Sequence, residues 1–168
     1  RDFPEFLREL RRTTGLAQGR LRIAVDIAFM KARPDVADRI LSEIAGNGTW
    51  IVVEGLMDSQ SIQSLARTLP SGSLLQPAQS LLVNLTTREG DRLFLLNLIN
   101  RIQACGSEAL IGGIETSAQA ELLSTLPVLR QGFLYGGPVP FDVFVRDIHR
   151  MPQSGQIPAE WVEESHDA

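Results

Sequence analysis

Phe3, Phe6, Leu7 and Leu10 recur at the three- and four-residue spacing of one helical face, and Gly15 is placed to stop that helix. The run Leu21 to Ile27 is strand-like. Val36, Ile40, Leu41 and Ile44 return to helical spacing, which the loop signature Gly46-Asn47-Gly48 closes. Trp50 to Val53 is a continuous apolar run of the kind buried parallel strands carry. The alternation then continues with a helix over Ser61 to Leu69, a short strand over Ser73 to Gln76 and a strong helix over Arg92 to Ala104. A strand Ala109 to Ile111 follows, then a helix Ala118 to Thr125, a last strand Gly132 to Tyr135 and a closing helix Phe141 to His149. Strands that alternate with crossover helices imply an α/β fold with a parallel sheet, open or rolled into a barrel.

After Met151 the pattern dissolves into Pro, Gln, Ser, Gly and acidic residues. Residues 1–150 therefore read as one domain and 151–168 as a polar tail. Within the tail, Ile157 and Trp161 lie one helical turn apart, so Trp161 is a candidate for docking the tail on the body. The chain of 168 residues suits one domain with a core of its own. Its apolar and charged contents, 43% and 21%, are those of a globular protein. No apolar run reaches the roughly 18–20 residues of a membrane span, and no apolar stretch follows the first residues as a signal peptide requires. A cytoplasmic protein without membrane contact is the expectation.

Charge excludes a further class. The net charge is −4 and Lys31 is the only lysine, so nothing suggests a general affinity for nucleic acid. Arg8, Arg11 and Arg12 read as the solvated face of a helix rather than a phosphate site. The single cysteine, Cys105, excludes an internal disulfide and reads as a small core residue. His149 and His166 have no neighbours in sequence from which a metal cluster or a catalytic triad could be argued. Gly112-Gly113 lacks both the dinucleotide-binding spacing and a Walker lysine.

The motifs that do carry information lie at strand ends. Ile111-Gly112-Gly113-Ile114-Glu115-Thr116, followed by Gln131-Gly132-Phe133-Leu134-Tyr135-Gly136-Gly137-Pro138, resembles two linked motifs of the EAL family of cyclic-di-GMP phosphodiesterases, Ala-Glu-Gly-Val-Glu-Thr and Gln-Gly-Tyr-x-x-x-x-Pro. Gly48 to Gly55 resembles that family's glycine, apolar run and Asp-Asp, and Leu75 to Leu82 resembles its Ile-Lys-Ile-Asp-x-Ser-Phe-Val strand. Leu21 to Ala28 falls where the family has Glu-Ile-Thr-Glu. The ordered set of five strand ends reaches to about Ile148 and covers roughly the C-terminal two thirds of the family.

This resemblance implies a partial or modified (β/α)8 TIM-like barrel of mostly parallel strands, with its site at their carboxyl ends. In the family those ends hold two divalent metals that activate a water. Here the resemblance places Ala24 and Ile27 at the two glutamates of Glu-Ile-Thr-Glu, and Glu54 and Gly55 at the paired aspartates. It places Gln76 at the strand lysine, Ala78 at the aspartate after it, and Gly112 at the glutamate of Ala-Glu-Gly-Val-Glu-Thr. Glu54, Glu115 and Gln131 are the remnants of the site. The Glu-Ala-Leu strand itself has no counterpart.

An inactive phosphodiesterase follows as the expectation, with no catalytic residue, bound metal or cofactor, serving bacterial signalling as a protein-interaction module. Five strands leave a barrel open, so a homodimer or another protein is expected along the open side. The alternative is a receptor that binds cyclic di-GMP without cleaving it, through Gln131 and Pro138. Gln131 itself keeps two readings, a nucleotide contact or an amide that satisfies loop backbone groups. The absence of a starting methionine at Arg1 suggests a chain cut from a longer protein.

Overall fold

A computed structural model describes residues 3–17, 19–70 and 72–148. The expected tail, with Ile157, Trp161 and His166, and His149 lie outside these residues. The chain opens with α1 (Phe3–Thr14) and then runs β1 (Arg22–Asp26), α2 (Ile27–Ala32), α3 (Pro34–Gly46) and β2 (Trp50–Leu56). It continues through α4 (Ser59–Thr68), β3 (Leu74–Pro77), a 3-10 turn (Gln79–Leu82), α5 (Glu89–Ala104), β4 (Glu108–Ile111) and α6 (Ser117–Leu122). It ends in β5 (Leu129–Arg130), a second 3-10 turn (Phe133–Tyr135) and α7 (Phe141–Ile148).

All four strand pairings are parallel and the order in the sheet is β1-β2-β3-β4-β5, the order in the chain. A doubly wound sheet reverses its order at a switch point; this one never does. Sequential order is what a (β/α)8 barrel has, and among the described residues it comprises five strands with β1 and β5 as edges. The fold is thus the expected α/β partial barrel.

Alternation along each strand sorts the residues between two faces. Ile51, Val53, Leu75, Ala109 and Ile111 join Ile44, Ile62, Leu95, Leu98 and Ile102 from the helices in one continuous core. The opposite face, the inside of the incomplete barrel, carries Ala24, Val52 and Leu74 in register. Leu74 is 1% exposed and Val52 7%, while Ala24 on the edge strand is exposed and so is Leu129 on the other edge. The apolar inner face is therefore uncovered at its margins rather than throughout, because mid-sheet residues have a strand on either side. At its lower end the Trp50 ring fills the space beside Gly19 and Gly72, where a Cβ would lie 2.5 Å from it, and the Arg22 guanidinium sits 5.1 Å from the ring centre.

Two elements differ from expectation. The run Leu21 to Ile27 is a strand only from Arg22 to Asp26, and α2, which the apolar pattern hides, begins at once. Asp26 ends the strand because its carboxylate accepts from the Ala28 N–H and caps the new helix. The expected last strand Gly132 to Tyr135 is a 3-10 turn, and the pairing belongs to Leu129–Arg130 instead. Here Gln131 N–H donates to Ile111 O (2.9 Å) and Leu134 N–H to Ile114 O (3.1 Å), which draws the chain across the end of β4 rather than along it.

Asp58 locks the segment after β2. Its carboxylate accepts from the Ser61 N–H (2.6 Å) and hydroxyl (2.8 Å), capping α4, and pairs with the Lys31 ammonium of α2 at 3.0 Å. The Ser61 N–H, then Lys31, hold its pKa down to about 2 from 3.8. A carboxyl depressed on folding stabilises above its unfolded pKa, so this contribution is complete near neutrality and fades as the pH falls from about 4 towards 2. Asp58→Ala is expected to cost about 1 kcal/mol at pH 7. Urea melts should show that difference shrinking below pH 4; an unchanged difference at pH 2.5 would overturn the assignment.

Candidate functional site

The carboxyl ends of β2, β3, β4 and β5 and the segment after β5 converge on an open cavity of about 440 Å3. Glu54 enters from β2, Gln76 from β3, Gln79 from the turn after it, Gly112, Gly113 and Glu115 from the end of β4, and Gln131 to Phe133 and Gly136 to Pro138 from the last segment. The sequence-derived residues Glu54, Glu115, Gln131, Pro138, Gln76 and Gly112 therefore meet in one place. Ala24, Gly55 and Ala78 do not line it. Ala24 sits two residues before the end of β1, opposite Val52. Ala78 spends its N–H on Leu56 O at 3.0 Å.

Backbone and packing explain why these positions hold the residues they do. Gly55 has φ +83°, in the left-handed region that glycine alone enters at no cost, and lies where the β2–β3 register shifts. A Cβ there would stand 3.3 Å from the Ile27 side chain. At Gly112 the Gln76 amide occupies the space in front of the backbone, with its Nε2 2.5 Å from where a Cβ would be. Gln79 overlies Gly113 in the same way. Gln76 and Gly112 thus form one packing arrangement.

Side chains that point at the cavity are unengaged. Glu54, Gln76, Gln79 and Gln131 make no side-chain hydrogen bond to a described residue, and no described lining residue is basic. The loop around Gln131 is held by its backbone, since its N–H binds Ile111 O and its carbonyl accepts from Ile114 N–H (3.1 Å). The side-chain amide does not supply that support.

Gln119 is a site-shaping residue that strand-end motifs do not reveal. Thr116 caps α6, and the Gln119 carbonyl oxygen accepts from the N–H groups of Glu115 (2.9 Å) and Thr116 (3.1 Å). Its amide nitrogen donates to Leu82 O at 3.0 Å, tying the end of β4 to the turn after β3. The Thr-x-x-Gln capping box was the available signal. Gln119→Ala should cost about 2 kcal/mol, seen as a fall of roughly 4–8 °C in the melting midpoint; a change within 1 °C on the order of measurement error would refute the bridging role.

The two divalent metals that the strand-end motifs imply do not fit the residues present. Hard cations take about six or more oxygen ligands, and the cavity offers two carboxylates, Glu54 and Glu115. Among the described residues no three His, Cys, Asp or Glu side chains come together as a metal-binding group. Asp26 stands in register with Glu54 but is committed to capping α2. Also among the described residues, no helix is long and apolar enough to cross a membrane.

The architecture defines the class: this is the fold of EAL domains. Solved structures that share it include the EAL domain of DcpA from Mycobacterium smegmatis, with a TM-score of 0.77 and 20% identity, over 93% of this chain and 68% of that one. The EAL enzyme Bd1971, in a form with cAMP and cyclic di-GMP bound, aligns with a TM-score of 0.75 and 22% identity over 88% of this chain. The PaMucR phosphodiesterase in complex with cyclic di-GMP aligns with a TM-score of 0.69 and 22% identity over 82%. This chain spans 39% of the Bd1971 chain and 56% of the PaMucR chain. No protein-family model and no curated protein sequence matches the chain.

Proposed function

We propose that this chain is a degenerate EAL-type domain that does not hydrolyse cyclic di-GMP and acts as a protein-interaction module in cyclic-di-GMP signalling. The observation that carries the reading is the substitution of the strand ends. Ala24, Gly55, Gln76, Ala78 and Gly112 stand where the motif resemblance calls for acids and a lysine, and the cavity at the strand ends keeps only Glu54, Glu115 and Gln131 of the set. Two-metal hydrolysis needs those acids to hold the ions and raise the nucleophilicity of a water. The edges at β1 and β5, with exposed Ala24 and Leu129, support contacts with a second copy or another protein along the open side. Incubating the purified protein with cyclic di-GMP and Mg2+ or Mn2+ should leave the dinucleotide intact, and linearised product above a no-protein control would overturn the reading.

A second reading, a receptor that binds the dinucleotide without cleaving it, draws on one observation. Gln131 and Pro138, the candidate nucleotide contacts, line the same cavity. Titration calorimetry separates the two, since the interaction module gives no heat with cyclic di-GMP below high micromolar concentrations.

A further inference from the structure

We infer that the vestigial cavity is a receptor for an arginine side chain presented by a protein partner. The inference rests on the interaction-module reading and says what the partner places there. Its first support is the sign of the charge. Two carboxylates and three carboxamides face the cavity, and among the described residues no lysine, arginine or histidine lines it. A phosphodiester entering without metal would meet Glu54 and Glu115 with no cation to neutralise it, whereas a cationic group is attracted by both.

The second support is the donor and acceptor balance. Glu54, Gln76, Gln79 and Gln131 have no hydrogen-bond partner among the described residues, so carboxylate and amide oxygens are available on several sides. A guanidinium brings five N–H donors in a planar fork and no acceptor, and it engages several oxygens at once. An ammonium is a point charge with three donors, held less specifically by such a set.

The third is the aromatic wall. Phe133 lines the cavity and is 60% exposed, a ring face on which a guanidinium plane can stack. Beyond Pro138 the chain continues with Val139, 49% exposed, and with Phe141 and Phe144, 80% and 48% exposed and three residues apart on α7. These residues continue the chain from the cavity wall as exposed apolar surface, which favours a partner whose basic residue lies within an apolar segment.

The test titrates the 15N-labelled chain with N-acetyl-arginine amide, with the neutral isostere N-acetyl-citrulline amide, and with cyclic di-GMP in EDTA. Saturable shifts at the amides of Gly113, Gly132, Phe133 and Gly136 are expected with the arginine amide at millimolar concentration and not with the other two. In Glu54→Gln/Glu115→Gln the affinity should fall at least roughly tenfold, as loss of a charge-assisted bond predicts. Neither carboxylate has a described partner, so that variant should melt with the parent chain, and its folding is checked by the same spectra. Equal responses to arginine and citrulline amides, no saturation with the arginine amide, or dinucleotide binding in EDTA would overturn the inference. Absence of an arginine response together with absence of hydrolysis overturns the arginine site alone, while hydrolysis in the metal assay overturns the reading beneath it.

Discussion

Gly132→Ala is expected to lower the melting midpoint by roughly 6–12 °C, or to prevent soluble expression, although it adds a single methyl group. The side chain would overlap the carbonyl oxygen, nitrogen and carbonyl carbon of Ile114. Those atoms are backbone. They already bond to the same segment, Ile114 N–H to Gln131 O and Leu134 N–H to Ile114 O, so the methyl group can be accommodated only by pulling the turn off β4. Overpacking costs about 1–3 kcal/mol where side chains can yield, and here two backbone hydrogen bonds are at risk as well, which puts the cost at about 3 kcal/mol or more. Gly136→Ala tests the same loop with nothing within 4 Å of the added methyl group, though its φ of +127° carries strain of its own. A Gly132→Ala protein that melts with the parent would refute the close approach.

Gly112→Glu, which places at the end of β4 the acid that the motif resemblance calls for, should destabilise the protein by about 3 kcal/mol at pH 7 and confer no hydrolysis of cyclic di-GMP. Two causes add. The Gln76 amide stands 2.5 Å from the new Cβ and has to move. The new carboxylate then joins Glu54 and Glu115 in a cavity with no basic residue among its described lining. Like charges and burial both raise a carboxyl pKa, and an acid whose folded pKa lies above its unfolded value of about 4.3 destabilises progressively as the pH rises from the unfolded to the folded pKa and by a constant amount above it. The penalty should accordingly be smaller at pH 5 than at pH 8. Adding Gln76→Ala should recover the steric share, about 1–2 kcal/mol, and leave the pH-dependent share. A melting midpoint raised several degrees by Mn2+ in the single variant would contradict the poor fit of the residues to a metal.

These two glycines show where sequence reading ends. Motif order placed Gln131, Gly132 and Pro138 in the chain and brought the strand ends to one site, because barrel topology maps the ends of successive strands onto one rim. Spacing could not distinguish a strand over Gly132 to Tyr135 from a turn, since that choice follows from a backbone approach between β4 and the last segment, residues far apart in chain distance. In the same way Gly112 and Gln76 read as two separate departures from the motifs, and the fold makes them one contact.

The helices and strands were largely legible because burying one face imposes its period on the chain, and that period is written locally. The α2 helix escaped, since its start is set by the Asp26 cap inside an unbroken apolar run. What the amino-acid sequence by itself determined was the parallel α/β frame and the identity of the residues at its strand ends. Only the tertiary structure decided that Gln79 joins the strand-end residues in their cavity, that the side chains of Glu54, Gln76, Gln79 and Gln131 meet no described partner there, that Gly55 turns through a left-handed bend, and that Asp26 and Asp58 are committed to capping helices. Side-chain chemistry is a property of the residue, but whether a carboxylate caps a helix or faces a ligand depends on which distant backbone donors the fold brings to it.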